Sequence, residues 1–222
     1  MARGFIARMI RRCASFFASE SKLPGLAYWE ERVKVYGRRS VLNIGHSDAE
    51  MEAVTQRQEQ EIFPYLLRAL WGDERIVLDL GCGPGRFTGA LASMINGRAI
   101  GLDPIATLLD MAPKAENVEY RVMREGEIPL PDEYVDVVWI CLVLGGLKSD
   151  LLNETLAEID RVLKRKGLLV LIENTSEKKD GEYWFFRKTE DYKRIFWFVR
   201  LEHLHDYIDL GERISVLMGR KT

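Results

Sequence analysis

The chain has 222 residues, 47% hydrophobic and 30% charged, enough apolar material for a domain with its own core. A formal net charge of -2 gives no general attraction to phosphates, so no nucleic acid partner is expected. The cysteines Cys13, Cys82 and Cys141 form no CxxC pair, which argues against a disulfide framework or cysteine metal site and makes a reducing cytoplasm the expected setting.

Residues 1–22 carry Arg3, Arg8, Arg11, Arg12 and Lys22 against Glu20 alone, with Phe5, Ile6, Met9, Ile10, Cys13, Phe16 and Phe17 at helical spacing. This pattern predicts a basic amphipathic helix. It serves either as a cap or homodimer contact or, in the sharper reading, as a peripheral membrane contact on anionic lipid. Leu23-Pro24-Gly25 ends it, and 28–38 reads as a second helix. Ser47-Asp48-Ala49-Glu50 has capping-box spacing and predicts a long helix to residue 71, bent at Pro64. Residues 1–72 are thus expected to form a helical cap beside the substrate, and 73–222 the main domain.

From residue 76 the pattern alternates. Strands are expected over 76–80, 99–102 (running into Asp103), 118–122, 135–142 and 168–172. Helices are expected over 86–95, 104–112, 149–166 (with Gly167 as stop) and 189–198. The Lys164-Arg165-Lys166 run then complements a helix C-terminus. Segments 201–208 and 213–218 flank Asp209-Leu210-Gly211 as an antiparallel hairpin. The β-α-β rhythm implies a doubly wound α/β fold with a parallel sheet.

The central feature is Val77-Leu78-Asp79-Leu80-Gly81-Cys82-Gly83-Pro84-Gly85, a buried strand running into a glycine-rich turn and then a helix. In open α/β sheets that turn is where ligands sit, and Asp103, ending the next strand, suits ribose hydroxyls. The dinucleotide fingerprint G-x-G-x-x-G fails in both registers, because Arg86 or Thr88 stands where the last glycine belongs. A carboxylate at Asp79 repels a pyrophosphate but attracts the ammonium group of S-adenosylmethionine, which carries no phosphate. The charge of the site favours that cofactor over NAD. An NAD(P)-dependent oxidoreductase is the alternative, and a non-catalytic cofactor-binding scaffold of the same fold is another.

VLDLGCGPGRFT at 77–88 resembles the first motif of class I (Rossmann-like) S-adenosylmethionine-dependent methyltransferases, and Gly101-Leu102-Asp103 resembles their second-strand acid. IPLPDEYVDVVWICLVLGGL at 128–147 and RVLKRKGLLVLIE at 161–173 resemble the segments around their fourth and fifth strands. The resemblance implies a doubly wound, seven-stranded, mostly parallel sheet with the last strand antiparallel. It implies that Asp79, Gly81 and Gly83 hold the methionine end, Asp103 the ribose, and the backbone near Cys141 and Leu142 the sulfonium side. The whole expected cofactor set is Asp79, Gly81, Cys82, Gly83, Pro84, Gly85, Asp103, Pro104, Glu125, Gly126, Cys141 and Leu142. One departure concerns the adenine: Arg124 stands where the family often has an acid, with Glu125 one residue further on.

Methyl transfer from a sulfonium needs alignment and water exclusion more than a fixed dyad. A base matters only where the acceptor must lose a proton early. Glu173, ending the fifth strand, and His46, in the loop before the long helix, are the catalytic candidates. Tyr28, Trp29, Arg32, Asn174, Tyr183, Trp184, Arg187 and Tyr192 are the expected acceptor-pocket residues. His203 and His205 alternate on a strand without a third ligand, so no metal is expected. Family members that methylate base or glutamine nitrogens carry an Asn/Asp-Pro-Pro-aromatic motif where this chain reads Cys141-Leu142-Val143-Leu144. The expected acceptor is therefore a small molecule attacked through oxygen, less readily nitrogen, with a sugar, glycan or lipid-linked intermediate in view.

Overall fold

A computed structural model describes residues 25–222, so the basic segment at 1–22 lies outside the described residues. Strands β1 (Ile76–Leu80), β2 (Arg98–Asp103), β3 (Val118–Val122), β4 (Val135–Cys141) and β5 (Leu163–Asn174) pair parallel to one another. Strands β6 (Glu202–Asp209) and β7 (Glu212–Arg220) form a hairpin, and β7 pairs antiparallel with β5. The order is β3-β2-β1-β4-β5-β7-β6, and the order reverses between β1 and β4, which opens a crevice at the carboxyl ends of those strands.

Period-two alternation sorts the side chains onto two packed faces. Leu78, Leu80, Ile140 and Leu171 face one side, where helix α5 (Ser149–Val162) supplies Leu152, Leu156 and Ile159. On that same side helix α6 (Thr189–Ile195) contributes Tyr192. Val77, Trp139 and Val170 face the other, covered by Ile62 and Leu66 of α2 (Met51–Ala69) and Leu91 of α3 (Thr88–Met94). Helix α1 (Leu26–Tyr36) packs Val33 against Ile105 and Leu108, the latter in the one-turn helix α4 (Ala106–Leu109). A 3₁₀ turn, Gly37–Val41, follows α1 and leads the chain across the crevice.

The boundaries differ from the sequence reading where local chemistry intervenes. Helix α1 stops at Tyr36 because Gly37 adopts φ +53°. The capping box at Ser47 and Glu50 is present, and α2 carries Pro64 within it. Helix α4 is a single turn rather than 104–112: Asp103 accepts the Ile105 N–H, and Pro113 disfavours helix at the residue before it. Strand β5 begins at Leu163, so Lys164-Arg165-Lys166 belong to a strand and not to a helix end. Leu163 pairs with Val135, the register shifts by a bulge, and Lys164 bonds Asp136 at 2.7 Å. Leu210 (φ +48°) and Gly211 (φ +82°) turn the β6–β7 hairpin, the backbone pattern of a two-residue type I′ turn.

Candidate active site

The crevice becomes a site because the turn after β1 is held from beneath. Gly81 and Cys82 both donate their N–H to the Leu102 carbonyl, at 2.8 and 3.0 Å. The Asp103 carboxylate accepts from Gly83 N–H at 2.9 Å and from Ile105 N–H at 2.8 Å. Asp103 therefore braces the glycine turn as well as ending β2. Gly85 sits at φ +72°, and a Cβ there would stand 2.3 Å from the Tyr120 hydroxyl, so neither conformation nor space admits a side chain.

Asp79 is buried beside this turn and accepts a hydrogen bond from the Thr88 hydroxyl at 2.6 Å. Burial pushes its carboxyl up to about 7; Asp103 pushes the same way, while the Thr88 bond and Arg86 pull it down. A cation seated there restores the ionised form, as the ammonium of an amino acid head would. Burial also raises Asp103 and the thiols of Cys82 and Cys141, the latter to about 12, so neither of these thiols is a nucleophile at neutral pH.

These groups open into a cavity of about 430 Å³, inside the usual range of ligand sites. Asp79, Gly81, Cys82, Asp103, Pro104, Glu125, Gly126, Cys141 and Leu142 line it. Gly83, Pro84 and Gly85 are buried and do not line it; Gly83 is tied to Asp103. Glu125 lines the wall, held up by burial and by Glu30, whereas the Arg124 side chain is 86% exposed.

Of the expected acceptor residues, Tyr28, Trp29, Arg32, Asn174, Tyr183 and Trp184 line the same cavity. Tyr28 and Tyr183 stack at 3.8 Å, which joins α1 to the strap between β5 and α6. Arg32 donates to the carbonyls of Ser40 and Leu42 and so fixes the 3₁₀ turn that roofs the site. Tyr192 is fully buried in the core under the sheet and does not line the cavity.

Glu173 and Arg187 act together on the turn after β4. The Glu173 carboxylate is fully buried and accepts N–H bonds from Val143 (2.9 Å), Leu144 (2.6 Å) and Gly145 (3.3 Å). Burial raises its carboxyl to about 7, against the pull of those three N–H groups and Arg187. Arg187 donates to the Leu144 and Leu147 carbonyls at 2.7 and 2.9 Å. Neither residue lines the cavity; both hold the segment that does, including Leu142 at φ +58° and Val143. His46 is likewise buried outside the lining, with Nε2 2.7 Å from Asp209 Oδ1, and Asp209 does reach the cavity. His203 pairs with Asp206 and His205 with Glu61, each at 2.7 Å.

Sequence reasoning missed Asp209, Glu212, Arg86 and the roof at 40–44, all of which line the cavity. Asp209 was read as a turn residue and Arg86 only as a missing glycine. The available signal was a buried charge position directly after the glycine turn.

A seven-stranded doubly wound sheet with antiparallel β7, and a glycine turn set between two buried acids, is the architecture of the class I methyltransferases. Residues 78–171 match the model of the methyltransferase domain family. The chain is similar to probable methyltransferase ltbC of Aspergillus luteorubrus, 29% identical over 179 residues, covering 72% of this chain and 59% of that protein. It is 34% identical over 106 residues to ribosomal RNA-processing protein 8 of Mus musculus, covering 47% of this chain and 20% of that one. A SAM dependent methyltransferase from Aquifex aeolicus superposes with a TM-score of 0.60 at 19% identity, covering 80% of this chain and all (100%) of that one. Over residues 78–171 the chain matches the methyltransferase domain family, and its fold is the one solved for S-adenosylmethionine-dependent methyltransferases. It spans 59% or less of the length of these two curated relatives.

Proposed function

We propose that this chain transfers the methyl group of S-adenosylmethionine to an oxygen of a small molecule held in the same cavity. The observation that carries the reading is continuity: one cavity joins the cofactor acids Asp79 and Asp103 to the aromatic wall of Tyr28, Tyr183 and Trp184. The residues fit the cofactor, with Asp79 for the ammonium, Asp103 for the ribose and Glu125 for the adenine amino group. Bound S-adenosylmethionine supplies an activated methyl. The chain's own residues align the acceptor and exclude water, which is where most of the rate enhancement of such a displacement originates. A hydroxyl acceptor must also lose a proton, and of the two carboxylates at the acceptor end, Asp209 and Glu212, Asp209 is the one positioned by His46 for that role.

Calorimetry tests the site: S-adenosylhomocysteine binds the wild type and binds Asp79→Asn at least about tenfold more weakly, while NADH does not bind. Equal affinities for the two proteins would refute the Asp79 assignment, and NADH binding would revive the oxidoreductase alternative. Radiolabelled methyl transfer into fractionated extracts tests the acceptor, with label expected in the small-molecule fraction. Label in RNA instead would move the assignment toward the class named by the ribosomal RNA-processing relative. Label nowhere would favour a scaffold.

A further inference from the structure

The cavity wall contains a cation with no anion. Arg86, the first residue after the glycine turn, lines the cavity and belongs to none of the ion pairs among the described residues. Its Nε donates to Thr55 Oγ1 at 3.1 Å and Nη2 to Gln58 Oε1, both neutral acceptors on α2. The guanidinium also lies 4.8 Å from the Phe87 ring centroid. Gln58 in turn donates to the Tyr207 hydroxyl at 3.3 Å, so a polar shelf built from α2 and β6 fixes the guanidinium in place.

A guanidinium partly withdrawn from water without a bonded anion is costly, and burial lowers the pKa of Arg86 accordingly. Cys141, Tyr207, Asp209, Asp79 and Glu59 are its electrostatic neighbours, and none of them bonds it. Asp79 is taken by Thr88 and Asp209 by His46. A planar fork that lines the cavity and is held by neutral acceptors matches a carboxylate.

We propose that Arg86 is the carboxylate receptor of this cavity, a role that rests on the methyltransferase reading above. The carboxylate comes either from the amino acid end of the cofactor or from an acidic acceptor. In the first case Asp79 and Arg86 together match the two charges of a zwitterion. In the second, Arg86 selects acceptors that carry a carboxyl group near the attacking atom.

Calorimetry on the wild type, Arg86→Met and Arg86→Lys separates the sources. The ligands are S-adenosylhomocysteine, 5′-methylthioadenosine, which lacks the amino acid end, and benzoate with and without S-adenosylhomocysteine. Arg86→Met is expected to lose at least about tenfold in affinity for one carboxylate ligand while keeping 5′-methylthioadenosine within about twofold. Arg86→Lys is expected to recover part of that loss. Loss on S-adenosylhomocysteine assigns the cofactor's carboxylate; loss on benzoate alone assigns the acceptor's. Arg86→Met equal to wild type for both carboxylates overturns the proposal. Equal weakening of S-adenosylhomocysteine and 5′-methylthioadenosine overturns it too, since that pattern reports damaged packing. A wild type that melts cooperatively yet binds no S-adenosylhomocysteine defeats the cofactor reading instead, and the benzoate arm without nucleoside still reports on Arg86.

Discussion

Replacing Glu173 separates a base from a brace. Its two oxygens accept three consecutive backbone N–H groups, those of Val143, Leu144 and Gly145, in a site with no access to water. Glu173→Ala leaves three buried donors unpaired at about 1–3 kcal/mol each, or roughly 3–9 kcal/mol in all. That approaches the whole stability of an ordinary domain, about 5–15 kcal/mol. Glu173→Gln keeps one acceptor oxygen for Val143 and Leu144 and sets an NH2 against the weakest donor, Gly145, so it costs only about 1–3 kcal/mol. Urea unfolding followed by circular dichroism measures both, with the loss appearing as a lower midpoint at constant slope. Because the braced turn carries Val143 of the cavity wall, S-adenosylhomocysteine affinity should fall alongside stability. The reasoning is refuted if Glu173→Ala stays within about 1 kcal/mol of wild type. It is also refuted if Glu173→Gln loses about 10²–10⁴-fold in turnover with stability and cofactor affinity intact, since that is how a general base behaves.

Asp79 makes a pH prediction. With its carboxyl raised to about 7, cofactor affinity should fall about tenfold from pH 8 to pH 6, and the dependence should flatten in Asp79→Asn. The ligand-free protein should show the opposite trend in stability. The fold holds a proton that the unfolded chain, with an ordinary value of 3.8, has released, so stability from this group declines as pH rises from about 4 to about 7 and is level above. Titration calorimetry and melting curves across that range check both. Gly85→Ala should destabilise by about 2–4 kcal/mol, combining a left-handed backbone with a Cβ placed against Tyr120, and Tyr120→Phe should relieve little of it because the ring remains. Thermal melts of the single and double variants decide. Asp209→Asn should slow turnover while leaving S-adenosylhomocysteine affinity within about twofold, and turnover equal to wild type would remove Asp209 from proton transfer.

What could be read in the sequence follows from how local the cause is. The strands β1 and β4 were legible because burial on both faces writes a nearly continuous apolar run, and the glycine turn because positive φ leaves few other residues. The start of β5 was hidden, since Lys164-Arg165-Lys166 has the composition of a helix end and is strand only because β4 offers Val135 as a partner to Leu163. Asp79 in β1 and Asp103 at the end of β2 were legible from their places on either side of the glycine turn. The acceptor end was legible only in part. Its walls come from α1, the strap after β5 and the β6–β7 hairpin, segments about 150 residues apart that meet only in three dimensions, so the partnership of His46 with Asp209 leaves no trace in spacing. The same separation explains why Glu173 looked catalytic. A carboxylate ending a strand near a pocket has one sequence signature, whether it faces the ligand or, as here, turns its oxygens to the backbone of the loop that does. The choice between those roles is made by the neighbouring N–H groups, and no pattern of side chains encodes where they point.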